Sequence, residues 1–231
     1  MKLWERLFVR ATVVEAETTG RFRRLRLQAA ALGTAEWRPG QQVRVDVGPA
    51  RAMAPLLRTY SVWSRDGDTI ELQALLHGSG PGAVWMGGAR VGDTALLSRP
   101  KGDFVTRPAA YHLFVGEETA SVAFGPMLRA LPAAERAASR AVVEISGPAD
   151  RLDLDGDVTW VDRAGDSAAE SGRLVAAVQL LDLPPQPGQA YVAGEARTVQ
   201  AVRRHLVQDR GWPRRSVLTK PFWTPGKRGM E

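Results

Sequence analysis

Polar and apolar positions follow one rhythm in the first hundred residues of this chain and another after that. Val43, Val45 and Val47 alternate with Gln42, Arg44 and Asp46, a period of two that predicts a strand over Gln41 to Val47 with one buried face. Comparable runs predict strands over Leu7 to Ala16, Phe22 to Leu27, Arg58 to Ser64, Thr69 to Leu76 and Thr94 to Ser98. Turn signals divide them: Thr19-Gly20, Trp37-Arg38-Pro39-Gly40, Arg65-Asp66-Gly67-Asp68 and Val91-Gly92-Asp93. A short helix is predicted from Pro81 to Ala89, because proline suits a first helical position, where its missing N–H has no intrahelical role. Six short strands and one helix point to a small antiparallel barrel.

The rhythm changes near Thr106-Arg107-Pro108. Strands are predicted over Tyr111 to Val115, Ala141 to Ser146, Val158 to Val161, Gln189 to Ala193 and Ser216 to Thr219. Between them lie helical stretches: one after Gly116-Glu117-Glu118-Thr119 reaching Leu131, one over Glu170 to Leu181, one over Ala196 to Arg210. The last puts Val199, Val202 and Leu206 on one face, with Gly211 past its end and Pro213 blocking continuation. Strand–helix alternation implies an α/β domain with a mostly parallel sheet. The expected domains are a β-barrel over 1–107 and an α/β domain over 108–231. Pro126 falls inside a predicted helix, where a kink is expected.

Composition narrows the chemistry. The chain has 231 residues, 44% hydrophobic and 24% charged, as a globular protein does. It has no cysteine, which excludes disulfides, thiolate metal sites and a cysteine nucleophile. The three histidines, His77, His112 and His205, are too widely spaced for a metal site, so none is expected. No apolar run approaches the ~20 residues of a membrane span, and the opening residues lack a signal-peptide core. A cytoplasmic monomer is expected. The formal charge of +6 comes mainly from arginine and favours anionic small molecules. No basic cluster is interleaved with aromatics in a recognisable module, which argues against nucleic acid.

Two segments of the barrel half carry a candidate site. Arg58-Thr59-Tyr60-Ser61 sets an arginine, an aromatic and a hydroxyl along one predicted strand. His77-Gly78-Ser79-Gly80-Pro81-Gly82 is a glycine-rich turn that opens a helix. Together they suit a flavin dinucleotide. Arg58 can make a charge-assisted bond to a phosphate, Tyr60 can lie against the isoalloxazine, and Ser61 can reach its N5 edge. His77 is a candidate flavin contact, and the turn at Gly80 offers N–H groups to a pyrophosphate. The α/β half has no Gly-x-Gly-x-x-Gly. Its candidate ligand turns are Gly116 to Thr119 and Ala193-Gly194-Glu195-Ala196, both at the end of a predicted strand.

With these segments in order, the chain resembles the siderophore-interacting protein family, NAD(P)H-dependent ferric-siderophore reductases of the ferredoxin-reductase-like superfamily. The resemblance rests on the two barrel segments with Trp85, on Pro100-Lys101-Gly102-Asp103-Phe104, and on Gly116-Glu117-Glu118-Thr119-Ala120. It continues through Trp160-Val161-Asp162-Arg163, the Gly194 turn with Val199, Arg203, Arg204 and Leu206, and Phe222-Trp223-Thr224-Pro225-Gly226-Lys227. It implies a six-stranded flavin-binding barrel followed by a nicotinamide-binding α/β domain. Electrons would pass from NADPH or NADH through FAD to a ferric siderophore or other ferric chelate, releasing Fe(II). It implies FAD at Arg58, Thr59, Tyr60, Ser61, Trp63, His77, Gly80, Pro81, Gly82 and Ala83. The dinucleotide would lie at Gly116, Glu118, Thr119, Gly194, Glu195 and Ala196. The acceptor would meet Lys220, Trp223, Lys227 and Arg228. No residue is assigned an acid, base or nucleophile role. Two positions depart from the family pattern: Trp63 stands where a second arginine is usual, and Ala83 where a hydroxyl is usual. Each removes a phosphate contact, about 1.5–3 kcal/mol for a charged hydrogen bond and less for a neutral one. Two other readings are a flavin-dependent module serving a different acceptor and a non-enzymatic descendant with weak flavin binding.

Overall fold

A computed structural model describes residues 8–49 and 52–227. The chain divides into two compact units, Met1–Val105 and Thr106–Glu231. In the first, β1 (Val9–Thr19), β2 (Phe22–Gln28), β3 (Gln42–Asp46), β4 (Leu57–Asp66), β5 (Thr69–Leu75) and β6 (Thr94–Leu97) form a closed barrel. Its order is β1-β2-β5-β4-β3-β6, and the pairs are antiparallel. Leu7, placed in the first predicted strand, lies outside the described residues. The period-two reading of β3 holds: Val43 and Val45 are fully buried while Arg44 is exposed. Register then fixes β4, because Val43 faces Tyr60 and Val45 faces Arg58. Arg58 and Tyr60 therefore share the barrel's inward face, and Thr59, Ser61 and Trp63 share the outward one. Among the described residues two helices complete this unit, the four-residue α1 (Ala30–Gly33) and α2 (Pro81–Gly88), whose Met86 joins the barrel core.

The second unit runs β7 (His112–Glu117), α3 (Glu118–Arg129), α4 (Ala133–Ala138), β8 (Arg140–Ile145), β9 (Val158–Asp162), α5 (Gly172–Gln179), β10 (Gln189–Glu195), α6 (Ala196–Arg204) and β11 (Val217–Trp223). Its sheet has the order β11-β10-β7-β8-β9, and every neighbouring pair is parallel. Leu113, Val115, Ala190 and Val192 bury one face against Leu174, Val178, Val199 and Val202 of α5 and α6. On the other face Phe114 stacks on Tyr191 with centroids 5.0 Å apart and meets Phe124 of α3 edge-on. The barrel-plus-α/β plan expected from the residue pattern is the fold observed.

Differences in element ends have local causes. Glu170 has a positive φ of 57°, so its helix starts only after Ser171, whose side chain accepts from the Leu174 N–H. The helix from Ala196 is α-helical only to Arg204. The next residues, His205–Asp209, widen into a π turn, with Arg210 N–H bonded to His205 C=O. β11 continues past Pro221, tolerated because this is an edge strand. Pro126 sits inside α3, which runs on to Arg129.

Candidate functional site

In the barrel, a cation and a helix start meet at one corner. Gly80 is the N-cap of α2, in extended conformation, and no side chain caps the first turn. The N-cap residue is a glycine and has no side chain to do so. The first N–H groups of α2 are thus left to an outside acceptor. A Cβ on Gly82 would stand 3.3 Å from Cγ of Arg58 and 3.0 Å from the Tyr60 hydroxyl, so Arg58 and Tyr60 lie against this first turn. The Tyr60 hydroxyl donates to Gly82 C=O at 2.8 Å, and Arg58 Nη1 donates to Leu57 C=O at 2.6 Å. A guanidinium beside an uncapped helix start is chemistry for an anion. A flavin pyrophosphate fits this corner.

The rest of the barrel site follows from strand alternation. Tyr60 is only 9% exposed, its ring 5.6 Å from that of Trp85. Burial raises the Tyr60 phenol above its ordinary range, so it stays protonated near neutrality. Ser61 lies outward beside Gln42, whose Nε2 donates to its Oγ at 3.4 Å. Trp63 is half-buried on that face, at a bulge between Val62 and Ser64. His77 is exposed in the turn before Gly80, with Gly78 at a φ of 64°.

In the second unit, crossovers leave β7 toward β8 and β10 toward β11, so the sheet's switch point lies between β7 and β10. Gly116 and Gly194 bring the carboxyl ends of these strands together. A Cβ on Gly116 would stand 2.5 Å from Ala193 O. One on Gly194, whose φ is 116°, would stand 2.5 Å from Glu117 Oε1. Both helices that start here are capped by the chain's own carboxylates. Glu117 accepts from the Thr119 N–H at 2.7 Å, from the Thr119 hydroxyl and from Trp223 Nε1 at 2.9 Å. Glu195 accepts from the N–H groups of Arg197 and Thr198 at 3.0 and 2.9 Å and from the Thr224 hydroxyl at 3.3 Å. A phosphate placed at either helix start would meet a carboxylate. The crevice instead suits a neutral or cationic group.

Glu118 turns inward and pairs with buried Arg163, and Glu144 bonds to the Ser171 hydroxyl. Burial raises the pKa of Glu117, Glu118 and Glu144. The Glu117 charge adds to it for Glu118, and Arg163 opposes it in all three. Ala196 opens α6 at this same edge. Lys220 and Trp223 lie half-buried on β11, Lys227 is exposed beyond it, and Arg228 falls outside the described residues.

Two parts of the site escaped the residue pattern. Gln42 reaches Ser61 only through the β3–β4 register, which no local spacing announces. A cavity of about 590 Å³ has Arg10, Arg99 and Lys101 in its lining and no acid. Lys101 adjoins Gln42 through paired backbone bonds of 2.8 and 2.9 Å. Among the described residues no cluster of His, Asp and Glu could hold a metal ion, and no helix is long and apolar enough to cross a membrane.

The model of the siderophore-interacting protein family matches residues 109–226, and that of the siderophore-interacting FAD-binding domain matches residues 12–104. The chain belongs to the siderophore-interacting protein family. Its barrel is an FAD-binding domain of that family, in agreement with the anion corner at Arg58. An uncharacterized protein of Mycobacterium tuberculosis is 32% identical over 176 residues, covering 69% of this chain and 62% of its own length. The chain thus spans under two thirds of the length of the mycobacterial relatives it matches. Ferric vibriobactin reductase ViuB of Vibrio cholerae is 27% identical over 75% of this chain and 66% of its own. A siderophore utilization protein from T. fusca shares the fold, with a TM-score of 0.83 at 22% identity over 97% of this chain and 95% of that one. A ferredoxin NADP+ reductase from Neisseria gonorrhoeae, solved with bound FAD and NADP, shares it at a TM-score of 0.72 and 16% identity, over 94% and 99%.

Proposed function

We propose that this protein is a flavin-dependent reductase that takes electrons from NADPH or NADH and delivers them to the iron of a ferric siderophore or similar ferric chelate. The carrying observation is the corner where Arg58 meets the uncapped start of α2, inside a family FAD-binding domain. FAD supplies the conversion between a two-electron hydride donor and a one-electron acceptor. Arg58 and the first N–H groups of α2 would hold its pyrophosphate, with Gly80, Pro81, Gly82 and Ala83 facing it. Tyr60 and Ser61 would hold the ring, and the bond from Tyr60 to Gly82 C=O would keep the phenol oriented.

In the second unit, the capped helix starts leave the switch-point crevice to the nicotinamide end rather than to phosphate. Carboxylates at Glu117 and Glu195 would favour a ring that turns cationic on losing hydride. One NAD(P)H and two Fe(III) give NAD(P)+, two Fe(II) and one proton, so no side chain need act as general acid or base. Hard oxygen ligands hold Fe(III) more tightly than Fe(II), and reduction therefore loosens the chelate. Lys220, Lys227 and Arg228 would attract an anionic chelate, with Trp223 beside it. Similarity to the ferric vibriobactin reductase ViuB and membership of the siderophore-interacting family support this acceptor class. The test is anaerobic. The purified protein should show a flavin spectrum that bleaches with NADPH or NADH and recovers on adding a ferric chelate, with Fe(II) caught by a chromogenic chelator. Bleaching without recovery would leave a reductase of some other acceptor.

A further inference from the structure

Two sides flank the switch-point crevice of the second unit. The β11 side is closed where Trp223 and Thr224 bond to Glu117 and Glu195. The ends of β8 and β9 lie on the other side, beyond β7. A dinucleotide whose nicotinamide end enters the crevice therefore has the β8–β9 side left for its adenosine. The segment 163–171, which joins β9 to α5, forms the rim there. The Ser171 hydroxyl donates to Glu144 near the end of β8, and the Ser171 N–H donates to Thr198 Oγ1 at 2.9 Å. The Glu170 N–H donates to Glu195 at 3.2 Å. The rim thus crosses the sheet edge from β9 to the start of α6.

The arginines of this rim are all engaged among the described residues. Arg163 is buried against Glu118. Arg173 Nε donates to Asp166 at 2.9 Å, and Arg197 pairs with Glu170. Arg151, from the segment after β8, lies over the Trp160 ring, 5.7 Å from its centroid. Asp162, the last residue of β9, is an exposed acid at the same edge. Its Oδ1 accepts from the Ala164 N–H at 2.7 Å, which orients the carboxylate and leaves Oδ2 out of that bond. In dinucleotide-binding α/β sheets a carboxylate accepts from the adenosine ribose 2′-hydroxyl of NAD, and an arginine takes the extra phosphate of NADP. We infer that this rim selects NADH over NADPH. Asp162 accepts from the ribose, and Asp166 and Glu170 withhold Arg173 and Arg197 from a 2′-phosphate. A dianion placed here would meet Asp162 and would have to draw each arginine off its own acid. This inference rests on the reading of the switch point as the nicotinamide site.

The test uses oxidised nucleotides, so that binding is read without turnover. The FAD-loaded protein is titrated by calorimetry with NAD+ and with NADP+, which differ only in the 2′-phosphate. The parent should bind NAD+ about tenfold or more tightly than NADP+. Asp166→Asn and Glu170→Asn release Arg173 and Arg197, and asparagine tolerates the positive φ of 57° at Glu170. Both acids are exposed, and surface ion pairs hold little of a fold's stability, so both variants should fold. The double variant should bind NADP+ about tenfold more tightly than the parent does, a gain that shrinks with added salt, and NAD+ within about twofold. Asp162→Asn keeps an acceptor for Ala164 but removes the charge, and should weaken NAD+ several-fold without weakening NADP+. A parent that binds the two alike or prefers NADP+ overturns the inference. So does a double variant whose gain is absent or equal for both nucleotides. A parent that carries FAD and binds neither nucleotide overturns the nicotinamide site itself, and the selectivity with it.

Discussion

Trp223 donates its indole N–H to the buried carboxylate of Glu117, 2.9 Å away and 106 positions earlier in the chain. The next residue, Thr224, donates to Glu195. The end of edge strand β11 is thus tied to the two glutamates that cap α3 and α6 at the switch point. Buried carboxylates are costly unless hydrogen-bonded, and here the donors come from helix starts and from this C-terminal segment together.

Burial raises the pKa of Glu117, and of Glu118 and Glu144 near it. A carboxyl group with a raised folded-state pKa binds its proton more readily when folded. Its stabilising contribution is full below the ordinary glutamate value of about 4.3 and is lost as pH rises through the raised value. The melting temperature of the second unit should therefore fall, from this cause, as pH is raised from mildly acidic to neutral. Glu117→Gln should flatten that slope. It should also cost about 1–3 kcal/mol, because an amide cannot accept from all the donors that now converge there. A slope identical in parent and variant, measured by calorimetry, would remove Glu117 as its source.

Arg58→Ala should lower flavin occupancy and leave the fold intact. Loss of a charge-assisted phosphate bond, about 1.5–3 kcal/mol, corresponds to roughly 10–150-fold in Kd. A variant that copurifies with as much flavin as the parent would mean that Arg58 is not the phosphate ligand.

Trp63 shares the outward face of β4 with Ser61. We expect it to pack against the flavin or its adenine, in place of the missing arginine. Trp63→Arg should keep or improve binding through the phosphate and change flavin fluorescence. Unchanged fluorescence with unchanged affinity would place Trp63 elsewhere.

What the residue pattern made legible was what is local. Val43 and Val45 announced the inward face of β3, and Arg58 to Ser61 with the Gly80 turn announced the anion corner. Pairings between distant strands stayed hidden: Gln42 beside Ser61 depends on register. Glu195 is expected from the sequence to contact the dinucleotide and Glu117 only to lie in a ligand turn, because a carboxylate that caps its own helix has no spacing that marks it as a block to phosphate. α1 and α4 are too short to show a helical period. The last strand is predicted only to Thr219, whereas β11 runs through Pro221 to Trp223, because the sequence does not announce that this strand lies at a sheet edge.

Lys220, Lys227 and Arg228 should guide an anionic ferric chelate. Attraction between exposed charges is screened over ~10 Å at 0.1 M salt. Neutralising all three should raise the apparent KM for an anionic chelate in a salt-sensitive way, with little change in rate at saturation. Equal loss for an anionic and a neutral chelate, or no loss for either, would leave the cluster without a steering role.

The central claim is that this chain carries electrons from a nicotinamide through its own flavin to ferric iron. Anaerobic stopped-flow absorbance tests it most directly. The flavin band should bleach on mixing with NADPH or NADH and return on mixing with a ferric siderophore, with two Fe(II) trapped per nicotinamide consumed. A protein loaded with FAD whose band is unmoved by either nicotinamide would contradict the account.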